Sequence, residues 1–410
     1  MMRNSKIYPW IVVFLLWGVG LLNYLDRQML STMKDAMMVD IIELESATNF
    51  GRLMAVFLWI YGLMSPIAGV IADRMSRKWL ITGSLFVWSA VTWRMGYADS
   101  FTELYVLRAI MGVSEALYIP SALSMIADFH DDKTRSLAIG IHMTGLYVGQ
   151  AIGGFGATVA DLITWESTFH SFGIIGVLYS LLLVFFLHEK EGRNIPILDV
   201  KNQRTFPIKQ SLTMLFSMIT FWVILLYFSV PSLPGWAAKN WLPTLFSESL
   251  SIDMTQAGPL STITIAASSF AGVIFGGTLS DRWIQRSLRG RIYSGAIGLG
   301  LMIPALLMLG MGTTILPVVC GAIFFGVGFG MFDANNMPIL CQFVPPRLRA
   351  TAYGIMNMTG VFAGALITSF LGKSMDGGHL GRDFMLMAVI VGIVLILQLM
   401  VLRPKVKEQV

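Results

Sequence analysis

Residues 69–78 read Gly-Val-Ile-Ala-Asp-Arg-Met-Ser-Arg-Lys, and residues 277–286 read Gly-Thr-Leu-Ser-Asp-Arg-Trp-Ile-Gln-Arg. Both stretches follow a long apolar run, and both keep Gly, Asp and Arg at the same spacing. A second motif is also repeated: Arg-Ser-Leu-Ala-Ile-Gly at 135–140 is similar to Arg-Ala-Thr-Ala-Tyr-Gly at 349–354. Recurrence at matched positions predicts that the chain consists of two halves of common design.

The composition indicates that these halves lie in lipid. Of the 410 residues, 55% are hydrophobic and only 13% are charged, whereas a soluble chain carries about a quarter charged residues. The net charge of +5 does not indicate a nucleic-acid partner, because the basic residues fall in short loops between apolar runs. Cys320 and Cys341 both lie in apolar stretches, so they form neither a metal pattern nor a disulfide framework.

Apolar runs of about 20 residues are long enough to cross a bilayer as helices. We predict an all-α membrane protein with twelve spanning helices. They lie at 8–34, 48–73, 79–98, 101–129, 135–160, 166–188, 212–248, 255–282, 291–311, 313–342, 348–374 and 382–403. Pro231, Pro234 and Gly235 predict a kink in the seventh helix.

The longest polar stretch, at 189–211, divides the spans into two sets of six. We therefore predict an N-terminal six-helix bundle at 1–188, a cytoplasmic linker at 189–211 and a C-terminal six-helix bundle at 212–410. Lys and Arg concentrate in alternate short loops, which predicts that both termini are cytoplasmic. The first apolar run is too long for a cleaved signal peptide, so we expect it to remain as the first span.

The repeated loop is predicted to be a conformational latch. Its glycine allows close helix contact, and its aspartate can pair with nearby arginines at a helix end. The alternative is a solvated loop whose charges only set the topology. The predicted latch residues are Gly69, Asp73, Arg74, Arg77, Asp281 and Arg282.

The loop at 69–78 resembles the signature GxxxDRxxRK of the major facilitator superfamily, with Ser76 where that family usually has Gly. The resemblance covers nearly the whole chain. It implies two six-helix bundles related by a pseudo-two-fold axis, which is the major facilitator fold. It also implies transport by alternating access, in which the two halves rock about a central site.

Ionisable residues inside two predicted spans point to the functional site, because burying them in a membrane costs several kcal/mol. Residues 23–28 read Asn-Tyr-Leu-Asp-Arg-Gln, and the fourth span carries Arg108, Gly112 and Glu115 on one helix face. Arg108 and Glu115 lie about 10 Å apart along the axis. Each therefore needs a partner from the first span, where Asp26 and Arg27 are available.

An arginine fork suits a carboxylate or phosphate, and a buried carboxylate beside it can exchange protons. The alternative is an ion-pair network that only joins the first span to the fourth. Asn-Tyr-x-Asp-Arg, Arg-xxx-Gly-xx-Glu-Ala and the Trp-Leu-Pro-Thr run at 241–244 resemble the anion:cation symporters of the superfamily. This branch takes up sugar acids with protons. The first motif is also similar to that of the spinster-like lipid transporters.

By this resemblance, Asp26 and Glu115 are the protonatable pair, and Arg27 and Arg108 hold the anion or tune those carboxyl groups. Further candidates for substrate binding are polar side chains inside the predicted spans, since amides can both donate hydrogen bonds to hydroxyl groups and accept them. They are Tyr24, Gln150, Asn335, Asn336, Asn357 and Lys239. For the asparagines, contacts between helices are an equally good interpretation.

We predict a secondary transporter that imports a hexuronate- or hexonate-type anion with protons across the inner or plasma membrane. The alternative is a spinster-like carrier of an amphipathic lipid. We expect a monomer that is not an enzyme and uses neither cofactor nor metal. The sequence leaves open the substrate, the choice between protons and sodium, and the direction of transport.

Overall fold

The computed structural model describes residues 7–131, 134–190, 208–345 and 348–403, and all regular secondary structure in these ranges is helical. The bilayer interior offers no hydrogen-bond partners for a free backbone, so apolar chain in lipid must satisfy its amides within helices. The prediction of an all-α membrane protein is confirmed.

The helices of the first half are α1 (Tyr8–Thr32), α2 (Lys34–Met37), α3 (Ala47–Arg74), α4 (Arg77–Met95), α5 (Phe101–Ala116), α6 (Tyr118–Phe129), α7 (Arg135–Gly153), α8 (Gly156–Ile163) and α9 (Trp165–Phe186). A short 3₁₀ helix at Ile42–Glu45 precedes α3. Ser76 begins α4 as its N-cap by accepting a hydrogen bond from the backbone amide of Trp79.

The helices that follow are α10 (Ile208–Ser217), α11 (Ile219–Leu250), α12 (Met254–Ile284), α13 (Gly290–Met311), α14 (Ile315–Asp333), α15 (Asn336–Phe343), α16 (Arg349–Asp376) and α17 (Leu380–Val401). The predicted seventh span began at 212, but Met218 separates α10 from α11. α11 then continues without interruption through Pro231 and Pro234.

Ten described stretches of helix are long and apolar enough to cross a membrane. An eleventh is formed by α7 and α8, which meet at a bend of 48°. The remaining predicted span corresponds to α4, a helix of 19 residues with Arg77 and Lys78 at its start and Arg94 near its end. Its charged ends make α4 less apolar than the others, and the twelve-span prediction is consistent with these helices.

The chain divides into two compact units. Unit 1 contains Met1–Lys201 and Asp253–Ile263, and unit 2 contains Asn202–Ile252 and Thr264–Val410. The start of α12 thus groups with unit 1, whereas the sequence assigned all of 212–410 to one bundle. The predicted linker at 189–211 lies mostly outside the described residues, so its boundaries remain a prediction.

A stripe of glycines on α7 lets it lie directly against α1 in unit 1. A Cβ atom on Gly145, Gly149 or Gly153 would come within 2.1 to 2.7 Å of a backbone carbonyl oxygen of α1. These glycines are four residues apart, so they share one helix face. Small residues at such positions are a common way for membrane helices to pack closely.

Replacing Gly149 with alanine is expected to destabilise the protein. The new Cβ would lie 2.1 Å from the carbonyl oxygen of Leu21, and backbone cannot move aside easily. Overpacking costs about 1–3 kcal/mol, against about 1 kcal/mol gained in helix propensity. Thermal unfolding of the purified protein in detergent should show a lower midpoint.

Gly140, on the same helix, provides the matched control, because a Cβ there meets nothing within 4 Å. Gly140→Ala should leave the midpoint unchanged or raise it. Equal midpoints for the two variants would contradict the close packing of α1 against α7.

Candidate functional site

Four ionisable side chains meet inside unit 1. Asp26 and Arg27 come from α1, and Arg108 and Glu115 come from α5. Asp26, Arg108 and Glu115 are 5%, 3% and 0% exposed. Charged groups this deeply buried are stable only when their neighbours compensate them, so their contacts decide what the site can do.

Glu115 is held by α1. Its Oε2 accepts a hydrogen bond from Nε of Arg27 at 2.6 Å and another from Nδ2 of Asn23 at 2.8 Å. Its Oε1 has no hydrogen-bond partner among the described residues. The predicted pairing of the fourth span with the first is confirmed for this carboxylate.

Arg108 has no carboxylate within 4 Å in the described chain. Its Nη1 donates to the sulfur of Met111 at 3.1 Å, a weak acceptor, and its Nε has no hydrogen-bond partner in those same ranges. The sequence suggested Asp26 as its partner, but this direct pair does not form. These contacts of Arg108 therefore use little of the hydrogen-bonding capacity of its guanidinium group.

Asp26 is also incompletely paired. Its Oδ2 accepts a hydrogen bond of 3.4 Å from the hydroxyl of Thr92 on α4. Its Oδ1 has no hydrogen-bond partner in the part of the chain that the structure describes. A carboxyl group in this position can accept a proton without breaking a strong ion pair.

Aromatic rings of α3 and α1 line the two guanidinium groups. The Cζ of Arg27 lies 4.6 Å from the ring centre of Phe57, 4.8 Å from that of Tyr61 and 5.2 Å from that of Tyr24. The Cζ of Arg108 lies 4.7 Å from the Phe57 ring centre. Cation–π attraction thus stabilises both cations without neutralising them.

Gly112, which lies between Arg108 and Glu115 on α5, packs closely against a neighbouring helix. A Cβ on Gly112 would lie 2.8 Å from the carbonyl oxygen of Phe57 and 3.2 Å from the amide nitrogen of Tyr61. The space beside this glycine is taken by the backbone of α3. Gly112 therefore brings the α3 rings to the two arginines.

The formal charges of the four-residue cluster cancel when all are ionised. An anion that enters adds negative charge to a buried site, where an uncompensated charge costs several kcal/mol. A proton on Asp26 or Glu115 restores neutrality. Within the described ranges, the structure contains no group of three or more His, Cys, Asp or Glu side chains that could hold a metal ion.

The other predicted residue of unit 1, Gln150, is buried on α7. In unit 2, the Nζ of Lys239 lies 4.7 Å from the ring centre of Trp236. Asn357 is half-buried on α16. The structure thus distributes the predicted polar residues over both units.

The two neighbouring asparagines have different contacts. The amide nitrogen of Asn335 donates to the carbonyl oxygen of Met331 at 2.8 Å and to the hydroxyl of Ser294 on α13 at 3.3 Å. This contact joins two helices, in line with the structural interpretation of Asn335. The amide nitrogen of Asn336 donates to the carboxylate of Asp333 at 3.2 Å.

The predicted latch is only partly visible. Gly69 has open space where a Cβ would stand, so it does not provide the close helix contact that we expected. Arg77 bonds the carboxylate of Asp128 and the carbonyl oxygen of Ser124, which ties α4 to α6. Asp281 and Arg282 are exposed at the end of α12, and the side chains of Asp73 and Arg74 lie outside the described part.

Sequence reasoning missed Asn23, Phe57 and Tyr61 as site residues. Asn23 stands in the first-span motif, and its position one turn before Arg27 could have indicated a shared partner. Phe57 and Tyr61 carry no comparable signal, because aromatic residues in an apolar span are common. Only the packing of α3 on Gly112 brings them to the site.

Comparison with known proteins agrees with this fold. The family model described as Major Facilitator Superfamily matches residues 16–369. The probable galactarate/D-glucarate transporter of Escherichia coli (strain K12) is 24% identical over 406 residues, covering 90% of this chain and 89% of that protein. The D-galactonate transporter of Escherichia coli O6:H1 is 24% identical over 353 residues, covering 80% and 81%.

Among solved structures, a bacterial homologue of the human lysosomal transporter Spinster has a TM-score of 0.79 at 19% identity. The match covers 96% of this chain and 97% of that one. Identity this low shows the fold alone, while the family match covers most of the chain. The chain is a multi-pass membrane protein and belongs to the Major Facilitator Superfamily.

Proposed function

We propose that this protein imports a sugar acid or related organic anion together with protons, by alternating access. The observation that carries the proposal is the cluster on α1 and α5, in which the charges cancel and Arg108 has no carboxylate partner among the residues that the structure describes. An anion can bind Arg108 without breaking a salt bridge. Neutrality then requires a proton for each negative charge that enters.

The four residues have distinct roles in this proposal. Arg108 binds the substrate carboxylate through its free donors, and Arg27 contributes positive charge while it holds Glu115 in place. Asp26 takes up a proton first, because its carboxylate bonds Thr92 and is bonded by no arginine in the described part of the chain. Glu115 takes up a proton when the substrate competes for Arg27.

The relatives support the substrate class, because two of them are named as transporters of galactarate, D-glucarate or D-galactonate. These are acids with one or two carboxylates and several hydroxyl groups. Tyr24, Gln150, Asn336 and Asn357 are the proposed partners of the hydroxyl groups. We place the protein in the inner or plasma membrane as a monomer with both termini in the cytoplasm.

Uptake by proteoliposomes tests the proposal. Labelled galactarate and D-galactonate should accumulate with saturation when the outside is more acidic than the inside, and accumulation should collapse when a protonophore is added. A sodium gradient without a pH gradient should not replace the proton gradient. Galactose serves as the uncharged control, and we expect no saturable uptake of it.

The second candidate is a carrier of an amphipathic lipid, which the Spinster-like fold favours. A long-chain fatty acid anion in the same assay separates the two proposals. Saturable uptake of that lipid with none of any sugar acid would overturn the first proposal.

A further inference from the structure

We propose that His142 on α7 is a proton relay, which accepts the proton that Asp26 releases and passes it toward the end of unit 1 that we place in the cytoplasm. The inference rests on the proposed function, because it needs a carrier that binds and releases protons. It adds a residue that determines how fast protons leave the carrier. Asp26 and Glu115 still determine how many protons move with each substrate.

His142 is completely buried, and its polar atoms are poorly satisfied. Neither ring nitrogen has a hydrogen-bond partner among the described residues, and no carboxylate in those ranges lies within 4 Å of them. The carbonyl oxygen of Leu16 faces the ring, but it already accepts a hydrogen bond of 2.7 Å from the hydroxyl of Tyr118. An ionisable side chain left in this way inside a membrane span points to a function.

His142 lies on the face of α7 that packs against α1. It precedes Gly145 by three residues and so extends the glycine stripe toward the start of α7. A Cβ atom on Gly20 of α1 would lie 3.3 Å from Cε1 of His142. Gly20 precedes Asp26 by six residues, which is about 9 Å along the helix. His142 is therefore on the side of Asp26 that faces the start of α1, the proposed cytoplasmic end.

A continuous row of buried side chains joins Asp26 to His142. The hydroxyl of Thr92 on α4 lies 3.4 Å from Oδ2 of Asp26 and 3.0 Å from the carbonyl oxygen of Trp88. The ring centres of Trp88 and Tyr118 are 5.7 Å apart, and those of Tyr118 and His142 are 6.0 Å apart. The row thus leads from a proton-binding carboxyl group to an imidazole.

Polar atoms without a partner in the described chain occur at both ends and in the middle of this row. They are Oδ1 of Asp26, Nε1 of Trp88 and the two ring nitrogens of His142. Buried polar atoms that no side chain reaches are commonly bonded by water. In this proposal, water molecules along these atoms carry the proton from the carboxyl group to the imidazole.

The neighbours of His142 favour transient protonation over a permanent charge. Tyr118 of α6 is the titratable side chain in contact with the ring, and α1 contributes the uncharged Gly20. The hydroxyl of Tyr179 on α9 donates to the carbonyl oxygen of Leu15 at 2.9 Å. None of these groups holds an imidazolium in an ion pair, so a proton that reaches His142 can leave it again.

The relay moves one proton and changes no oxidation state. The carboxyl group of Asp26 loses its proton and becomes a carboxylate, while one ring nitrogen of His142 gains that proton and the imidazole becomes an imidazolium. A ring nitrogen then gives a proton to water on the cytoplasmic side, which restores the neutral imidazole. Histidine suits this role because it gains and loses a proton readily near neutral pH.

Uptake of labelled D-galactonate by proteoliposomes of the full-length protein tests the relay. His142→Gln should lower the initial rate of uptake under a pH gradient by about tenfold or more, because a positioned side chain speeds a proton transfer by about 100-fold or more. The final level of accumulation should equal that of the wild type, since Asp26 and Glu115 still couple the protons. Exchange of labelled for unlabelled acid should keep its wild-type rate, because it needs no net release of protons.

Free imidazole separates a relay from a packing role. His142→Ala leaves room for an imidazole molecule, so adding imidazole should restore part of the lost uptake rate. Imidazole should change neither the uptake rate of the wild type nor the exchange rate of the variant. His379→Gln, at an exposed histidine between α16 and α17, should match the wild type in every assay.

Three results would overturn this inference alone. They are a wild-type uptake rate in His142→Gln, loss of exchange together with uptake in both His142 variants, and no rescue of His142→Ala by imidazole. Failure of the wild type to accumulate a sugar acid under a pH gradient would instead overturn the proposed function, and the inference with it.

Discussion

Glu115→Gln is expected to abolish concentrative uptake of a sugar acid while exchange of substrate across the membrane continues. Glutamine keeps the shape of the side chain and can still bond Arg27 and Asn23, so the helices should stay in place. The change removes one negative charge, and the cluster then carries a permanent excess of one positive charge. An anion can compensate this charge without a proton.

Two measurements separate coupling from binding in this variant. Proteoliposomes loaded with unlabelled acid should exchange it for labelled acid at a rate near that of the wild type. The same proteoliposomes under a pH gradient should accumulate no substrate. Full accumulation in Glu115→Gln would show that Glu115 has no part in proton coupling.

Glu103→Gln is the matched control. Glu103 lies on the same helix as Glu115 and pairs with Arg94, but both side chains are partly exposed. Exposed pairs contribute little, typically about 0–1 kcal/mol. Uptake by this variant should therefore resemble that of the wild type.

Arg108→Gln is expected to abolish both binding and uptake of sugar acids. The guanidinium of Arg108 is the buried cation whose donors meet no carboxylate in the described chain, and its loss leaves the cluster with an excess negative charge. An incoming anion would then meet like charge in a buried site. Removing one partner of a buried charge interaction typically costs about 3–5 kcal/mol, which corresponds to more than a hundredfold loss of affinity.

Arg108→Lys tests the geometry of the interaction. Lysine keeps the charge but loses the planar fork that can bond both oxygens of a carboxylate. We expect saturable uptake with a much higher KM. Arg94→Gln, which removes an exposed arginine of α4, should leave uptake unchanged. Wild-type affinity in Arg108→Gln would exclude Arg108 as the anion ligand.

The helical architecture was predictable because lipid imposes it on every apolar run of sufficient length. The main departures occur where packing decides the local path of the chain. α10 separates from α11 at Met218, and α12 begins within unit 1. Neither feature has a sequence signal as strong as a charged loop.

The buried site was predictable only in part. Charged residues in an apolar span stand out, so Asp26, Arg27, Arg108 and Glu115 could be found without a structure. Their pairing could not be predicted in full. Of the two arginines, Arg27 bonds Glu115, while Arg108 donates to the sulfur of Met111.

The sequence by itself determined that this protein spans a membrane in two related halves. It also determined that Asp26, Arg27, Arg108 and Glu115 lie inside apolar spans of the first half. These properties follow from composition, spacing and repetition along one chain. The tertiary structure alone decided which charges meet, because that depends on the depth and rotation of α1, α3 and α5. The close contacts of Gly112 and Gly149 with neighbouring backbones set this geometry, and each contact joins residues far apart in the chain.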